Sequence, residues 1–187
     1  MATVMSPVTT EELLALPEEG VDRWLIAGEL RERSMTTRNR FHSGVMSRMA
    51  QALTNWLDQQ PEPRGQVLTG DAGVRLARNP DTTFGVDLVF ISAEVLARQT
   101  PGTAWIDGIP TLAVEILSPS DTVEDIHEKV TAYKQAGVPL VWIVDPYDRT
   151  VTVHRPHAEP ELFNVKQNLG NIPQLPGFDV CVRAFFE

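Results

Sequence analysis

The stretch TLAVEILSPSDTVEDIHEKVTAYKQAGVPLVWIVDP, residues 111–146, decides the expected fold. Its first apolar segment predicts a β-strand, although it contains an acid, Glu115. A turn of Ser and Pro residues follows, and then a helical pattern that ends at Gly137, a residue type common at helix C-termini. The next apolar run, residues 138–146, predicts a strand that is covered on both faces. The order of strand, helix and strand indicates an α/β unit, and it raises the question of why Glu115 lies in an apolar strand.

The composition favours a globular chain with one domain. The length of 187 residues predicts a single domain, residues 1–187, and an apolar fraction of 42% is enough for one sizeable core. No apolar run approaches the roughly 20 residues of a membrane span, and the N-terminal segment lacks the pattern of a signal peptide. We therefore expect a cytoplasmic protein with no membrane association. The single cysteine, Cys181, cannot form an internal disulfide and is expected to be a small buried residue.

The charge distribution is acidic overall, with one basic segment. A net charge of −9 argues against broad non-specific binding to nucleic acid, which needs a basic surface. Residues 36–48 carry Arg38, Arg40, His42 and Arg48. This basic segment fits a local nucleic-acid-binding rim and a solvated helix face equally well.

The remaining pattern predicts a mixed sheet between helices. Apolar spacing predicts a short helix capped by Thr9 or Thr10 and a long helix over residues 38–59. The predicted inward face of the long helix comprises Phe41, Val45, Met49, Ala52, Leu53 and Trp56. Strands are predicted in residues 22–34 (a hairpin around Ala27-Gly28), 65–77, 84–92 and 150–156, and a loop in residues 97–110. The predicted fold class is α/β or α+β, with a mixed central β-sheet flanked by helices.

Two of the predicted strands carry one acid each on the face opposite their largest apolar residues. The acid is Asp87 in GVDLVFI, residues 85–91, and Glu115 in residues 111–117. Because neighbouring strands lie about 4.8 Å apart, the two carboxylates can face one point if these strands are adjacent. Like charges so placed repel unless a proton or a cation lies between them. Two carboxylates with waters and a substrate phosphate are a usual way to hold Mg²⁺, so the pair predicts a magnesium site.

Lys129 is a third candidate, on the helix after Glu115. Ile126, Val130 and Tyr133 form the inward stripe of that helix, and Lys129 lies about 60° from Ile126 and about 40° from Tyr133. A lysine within or beside a buried stripe needs an anion or a polar pocket. The sequence therefore places an ammonium group near the strand that carries Glu115.

Each candidate also has a structural explanation. Asp87 could end a strand, and Glu115 could face solvent at a sheet edge. Lys129 could pair with Asp125 on the helix surface or extend along the apolar stripe to solvent. Three separate coincidences would be needed to produce acid, acid and lysine in apolar settings in this order.

This order of residues resembles the PD-(D/E)xK nuclease superfamily and, more closely, the Uma-two family of restriction-endonuclease-like proteins. The resemblance covers residues 9–155, and TTEELLALPEEG, LIAGELRE, GVDLVFIS and residues 113–146 carry it. It implies a restriction-endonuclease-like core. The chain departs from the superfamily motif at Val86, where the motif has proline, and at Leu117, where it has lysine. The Uma-two pattern resembles a version in which a helix lysine, here Lys129, fills that space.

The resemblance implies a role for each candidate. Asp87 and Glu115 would be ligands of Mg²⁺, with Mn²⁺ as a substitute, together with the backbone carbonyl of Ile116. Lys129 would orient the attacking water and stabilise negative charge on the phosphate. Glu29 and His42 would be accessory residues, Glu29 as an extra acid near the metal and His42 near the phosphate or a metal-bound water.

The expected function is that of a Mg²⁺-dependent DNA endonuclease with DNA as its partner. One alternative is a non-catalytic binding or interaction module, because a fold does not determine a function. Another is a metal-dependent hydrolase of branched DNA or RNA. A homodimer is also expected, because cutting both strands of a duplex often uses two active sites. Its interface would use the apolar strand that contains WIVDP, residues 142–146, and the aromatic segment 178–187. Both segments could equally belong to the hydrophobic core.

Overall fold

The computed structural model describes residues 6–17, 19–34 and 39–187. The helices are α1 (Thr10–Leu14), α2 (Arg40–Leu57), α3 (Ala93–Leu96), α4 (Val123–Ala136) and a terminal 3₁₀ helix (Val182–Phe185). The first six strands are β1 (Val21–Ile26), β2 (Glu29–Ser34), β3 (Gln66–Ala77), β4 (Thr82–Ile91), β5 (Ile106–Asp107) and β6 (Leu112–Ile116). The others are β7 (Val141–Asp145), β8 (Thr150–His154), β9 (Glu161–Asn164), β10 (Asn168–Gly170) and β11 (Asp179–Cys181).

The described strands form a nine-stranded mixed sheet and a small sheet of β10 and β11. The large sheet runs in the order β2-β1-β4-β6-β7-β8-β9, while β3 pairs along β4 and the short β5 pairs with β3. β6 and β7 are parallel and are joined by α4, because a parallel pair requires a crossover connection. The predicted mixed sheet flanked by helices is confirmed.

Two apolar cores lie on the two faces of this sheet. Alternate residues of a strand point to opposite faces, and in β6 Leu112, Val114 and Ile116 pack in the core that contains α2. Ala113 packs in the other core, which contains Val130 and Tyr133 of α4. Glu115 has the same phase as Ala113, so its side chain points towards α4. β7 is likewise buried on both faces, as its continuous apolar pattern predicts.

The long helix differs from its prediction at its N-terminus. It begins at Arg40, with the Asn39 side chain accepting hydrogen bonds from two backbone amides, whereas the predicted start at Arg38 lies outside the described residues. Phe41 was expected on the inward face, but its side chain is 47% exposed. His42 is buried instead. In the first turn of α2, His42 faces the sheet, while Phe41 faces Tyr147 in the turn after β7.

The C-terminal segment supplies core, with one exception. Phe178, Val182 and Phe185 are buried in the core that contains α2, so these aromatic residues are not an exposed apolar surface, and the homodimer stays a prediction. Cys181 was expected to be buried, but it is exposed. It is the last residue of β11 in the small two-stranded sheet, where its neighbour Val180 packs against the core and Cys181 therefore points outward.

Two smaller features complete the fold. The predicted hairpin around Ala27-Gly28 is confirmed, and both turn residues have positive φ angles, 50° and 77°. The predicted loop of residues 97–110 contains the two residues of β5. No described helix has both the length and the apolar character needed to cross a membrane.

Candidate functional site

The candidate site lies where β4 and β6 stop pairing. The last paired residues are Leu88 and Val114, so Asp87 and Glu115 follow directly where the two strands separate. The Ile116 backbone amide donates to Asp87 Oδ2 at 2.8 Å. At this position the Asp87 side chain thus replaces a backbone hydrogen bond between the two strands. The sheet brings the two acids of the sequence pattern close together.

Two donors from α4 hold Glu115. Lys129 Nζ donates to Glu115 Oε2 at 2.9 Å, and the Tyr133 hydroxyl donates to Oε1 at 2.5 Å. The side chains of Glu115 and Lys129 are only 11% and 13% exposed. Because residues four apart lie one above the other on a helix, Lys129 and Tyr133 reach the same carboxylate from consecutive turns.

The electrostatics of this cluster are those of a crowded, buried site. Burial raises the pKa of Glu115, and the nearby Asp87 carboxylate raises it further, whereas Lys129 and Tyr133 act in the opposite direction. Burial disfavours the ammonium form of Lys129, but attraction to Glu115 outweighs it and raises the lysine pKa. The pKa of Tyr133 lies well above its ordinary value because of burial and Glu115, so the phenol stays protonated as a donor.

His42 approaches Asp87 from α2, which packs on the other face of the sheet. Its Nε2 lies 3.3 Å from Asp87 Oδ1, and the ring is almost completely buried. Its Nδ1 has no hydrogen-bond partner among the described residues. The structure therefore brings together Asp87, Glu115, Lys129 and His42.

Glu29 lies outside this cluster. Its side chain is 71% exposed and pairs with Arg31 at 2.9 Å on the surface of the β1–β2 hairpin. Leu117, at the position where the superfamily motif has lysine, is partly buried and packs in the core that contains α4. The ammonium group beside Glu115 comes instead from Lys129, on the following helix.

The cluster lines a cavity of about 520 Å³. Arg23 and Arg33 of the hairpin also line it, and Arg33 forms ion pairs with Asp22 and Asp121. The buried Trp24 ring lies 5.6 Å from Lys129 Nζ. The sequence pattern did not indicate Arg23 or Arg33 as part of the site, because nothing in their spacing relates them to residues about 100 positions away. The sequence did contain a signal that Tyr133 belongs to the site, because Tyr133 lies one helical turn beyond Lys129.

The donor chemistry fits a hydrated metal ion and not a cage of protein ligands. Within the described ranges, no group of three or more His, Cys, Asp or Glu side chains is arranged to hold a metal. Asp87 and Glu115 are, however, close enough for the charge of one to raise the pKa of the other. Mg²⁺ typically takes one or two carboxylates and completes its shell with waters and substrate phosphates. The two carboxylates beside a cavity match that arrangement.

Comparison with solved structures identifies the fold. The chain matches a crystal structure described as "a putative nuclease belonging to DUF820 from Anabaena variabilis ATCC 29413", with a TM-score of 0.77. The match has 20% sequence identity and covers 96% of this chain and 98% of that one, which establishes a shared fold. The fold is therefore nuclease-like.

The sequence itself matches a family model. The model of the Uma2 family, whose description is "Putative restriction endonuclease", matches residues 10–183. The chain belongs to the Uma2 family, as its resemblance to the Uma-two pattern indicated. No curated protein matches it.

Proposed function

We propose that this protein is a Mg²⁺-dependent endonuclease that hydrolyses phosphodiester bonds in DNA. The observation that carries the proposal is the arrangement of Asp87, Glu115 and Lys129 beside a cavity, where β4 and β6 separate. Membership of a family whose description is "Putative restriction endonuclease" supports the same reaction class.

Each residue has a physical role in this proposal. Asp87 and Glu115, with the backbone carbonyl of Ile116, would hold Mg²⁺, which when bound lowers the pKa of a coordinated water and neutralises phosphate charge. The Lys129 ammonium stabilises negative charge that develops on the phosphate during in-line attack. Tyr133 fixes the orientation of the Glu115 carboxylate through its hydrogen bond.

The cavity is acidic on balance, because six carboxylates of the described residues line it beside three basic side chains. Lys129, Arg23 and Arg33 all line the cavity, and the Lys129 ammonium is held within it by Glu115. The excess of acids favours a divalent cation in the cavity, and a bound cation would offset phosphate charge, so a net charge of −9 is compatible with a phosphate substrate.

Calorimetric titration of the full chain with Mn²⁺ tests the proposed metal site. We expect the wild type to bind one or two ions and Glu115→Gln and Asp87→Asn to lose them, because both changes keep the shape and remove the charge. Asn at position 87 can still accept the hydrogen bond from Ile116. Glu124→Gln, an exposed position in the first turn of α4, is the matched control and should bind as the wild type does.

Substrate phosphate can complete such a site, so the titration is repeated with a phosphorothioate DNA that resists cleavage. Metal binding that persists in both Asp87→Asn and Glu115→Gln would refute the assignment of these ligands. No binding by the wild type under either condition would refute the nuclease proposal.

A non-catalytic interaction module is the second candidate, and one observation favours it. Both Glu115 oxygens are already occupied by Lys129 and Tyr133, as in a purely structural buried pair. This candidate predicts that Glu115→Gln lowers the melting temperature, and that neither the variant nor the wild type binds Mn²⁺.

A further inference from the structure

An exposed aromatic cluster lies at the start of α2. Phe41 and Tyr147 are 47% and 51% exposed, and their ring centroids are 5.9 Å apart at an interplanar angle of 59°. The Arg40 guanidinium lies 4.8 Å from the centre of the Phe41 ring. We call Arg40, Phe41 and Tyr147 the aromatic platform.

The platform is built into the fold. The Asn39 side-chain amide donates to the Tyr147 hydroxyl at 2.6 Å, while its carbonyl oxygen caps α2. The turn that carries Tyr147 is held by Asp145, whose carboxylate accepts from the Tyr147 and Asp148 backbone amides at 2.7 and 3.0 Å. The exposed Tyr147 ring is therefore held by a hydrogen bond, and the same Asn39 side chain fixes the backbone that carries Phe41.

The platform lies beside the candidate site. Phe41 directly precedes His42, whose ring lies 3.3 Å from the Asp87 carboxylate. Tyr147 follows the end of β7, and Val144 of β7 pairs with Ile116 at the end of β6. Since β6 and β7 are parallel, the turn that follows β7 and carries Tyr147 lies at the same edge of the sheet as Glu115 and Ile116.

The chemistry of the platform is that of a stacking site for a base. The two rings are tilted and do not cover each other's faces, whereas the Arg40 guanidinium covers one face of Phe41. Within the described part of the chain, no carboxylate lies within 4 Å of the Arg40 guanidinium, so its charge remains available to a phosphate. Aromatic faces beside arginine are the features that bind single-stranded nucleic acid, because every base has a face that can stack.

We propose that the aromatic platform binds an unpaired base of a DNA substrate, next to the phosphodiester bond that the site cleaves. This inference rests on the proposed nuclease function and refines its substrate class to DNA with a single-stranded segment. In a paired duplex the bases are stacked on each other, so two tilted surface rings have no free base face to contact.

A second copy of this chain is a less suitable occupant. A stable protein interface takes roughly 20–30 residues from each partner, whereas the platform offers two exposed rings. The other large apolar side chains that the structure shows as exposed lie on different elements: Leu14, Leu16, Val123 and Leu162.

Fluorescence anisotropy of a labelled oligothymidylate, titrated with full-length protein in EDTA, tests the proposal. We expect Phe41→Leu and Tyr147→Ala each to weaken binding by about fivefold to a hundredfold, the range for loss of one stacked base. Phe41→Trp should retain binding, because it keeps an aromatic face. Leu162→Ala, an exposed apolar position on β9, is the matched control and should bind as the wild type does.

Other outcomes would overturn the proposal. Unchanged affinity in Phe41→Leu would exclude a stacking role, and equal losses in Leu162→Ala would show that the effect is not local. Tighter binding of an oligouridylate that is lost in Phe41→Leu would assign the platform to RNA. A change in sedimentation of Phe41→Leu with unchanged DNA binding would assign it to self-association.

Mn²⁺ titration of the same variants separates this proposal from the nuclease function. Phe41→Leu should bind Mn²⁺ as the wild type does, because Phe41 is not among the residues that line the cavity. If the wild type binds Mn²⁺ but the platform variants bind oligothymidylate normally, the platform alone is refuted. If the wild type binds no Mn²⁺ with or without phosphorothioate DNA while Phe41→Leu still weakens DNA binding, the nuclease function is refuted and the platform remains.

Discussion

Glu115 is buried, and its charge is held by an ammonium and a phenol from one helix. Removing a charge from water costs free energy, and a buried ion pair recovers that cost only with good geometry and further hydrogen bonds. Tyr133 supplies such a bond here, at 2.5 Å. Asp87 adds repulsion that works against stability, and an arrangement that tolerates repelling carboxylates beside a cavity is typical of functional sites.

At the residue scale we predict that Lys129→Met greatly slows DNA cleavage while Mn²⁺ binding persists. The ammonium would stabilise charge in the transition state, and loss of such a group lowers turnover about a hundredfold to a thousandfold. Glu115 can take up a proton in this variant, because burial raises its pKa, so the fold should survive at room temperature. Single-turnover cleavage, calorimetry and circular dichroism measure the three properties.

Lys134→Met is the matched control, since it makes the same change in the last turn of the same helix. It should cleave at the wild-type rate. Lys129→Met that also cleaves at the wild-type rate would mean that Lys129 has a packing role alone.

α4 is the element that delivers both donors to Glu115. Its start is defined by a capping box, in which Thr122 accepts from the Asp125 amide and the Asp125 carboxylate accepts from the Thr122 amide. Its end is defined by Gly137, at a φ of 87°. Lys129 lies about two turns after the cap. The residues that define the start of the helix are therefore not the ones that place the ammonium group beside Glu115.

At the element scale we predict that Thr122→Ala lowers the free energy of unfolding by about 1 kcal/mol, the usual value for loss of an N-cap. For a chain of this size that corresponds to a fall in melting temperature of about 2–4 °C. Thr131→Ala, the same change inside α4, should produce no such loss, because alanine favours a helix interior. Equal losses in both variants, measured by thermal unfolding, would show that the cap itself contributes nothing.

At the scale of the whole molecule, a buried arginine joins α1 to the sheet. Arg75 of β3 pairs with Glu11 of α1 at 2.8 Å and with Asp107 of β5 at 3.0 Å, and Asp81 lies 3.7 Å away. Asp81 also accepts hydrogen bonds from the backbone amide and hydroxyl of Thr10, at 2.8 and 2.7 Å. These contacts hold α1, whose Leu13 and Leu14 line the cavity, against the sheet.

The Asp81 contacts predict an acid-sensitive contribution to stability. Burial raises the pKa of Asp81, but the Thr10 hydrogen bonds and Arg75 outweigh it, so the pKa lies below its ordinary 3.8. The folded state therefore binds the proton more weakly than the unfolded state. The stabilisation is fully present above that ordinary value and is lost as the pH falls through the lowered pKa.

We expect Asp81→Asn to lower the free energy of unfolding by about 1.5–3 kcal/mol near neutral pH, the range for hydrogen bonds to a charged group. The difference from the wild type should shrink at pH values below 3.8. Denaturant unfolding over a pH series measures it, with the exposed Asp58→Asn as control. A difference that does not change with pH would contradict the proposed origin of the effect.

Local patterns predicted much of the architecture. The α4 segment, the hairpin around Ala27-Gly28 and the doubly buried β7 are each specified by spacing or turn chemistry within a few residues. The same reasoning placed Phe41 in the core and Cys181 inside, and the structure exposes both. Helical phase says which residues share a face, but it cannot say where the neighbouring sheet ends.

The sequence by itself determined the candidate cluster of Asp87, Glu115 and Lys129, because strand alternation and helical phase are local and identify acids and a lysine in apolar settings. The tertiary structure alone decided that β4 and β6 separate directly at the two acids, and that Arg33 lines the same cavity. It also decided that Phe41 meets Tyr147. Those contacts join residues from about 30 to more than 100 positions apart, and only chain packing brings such distant residues together.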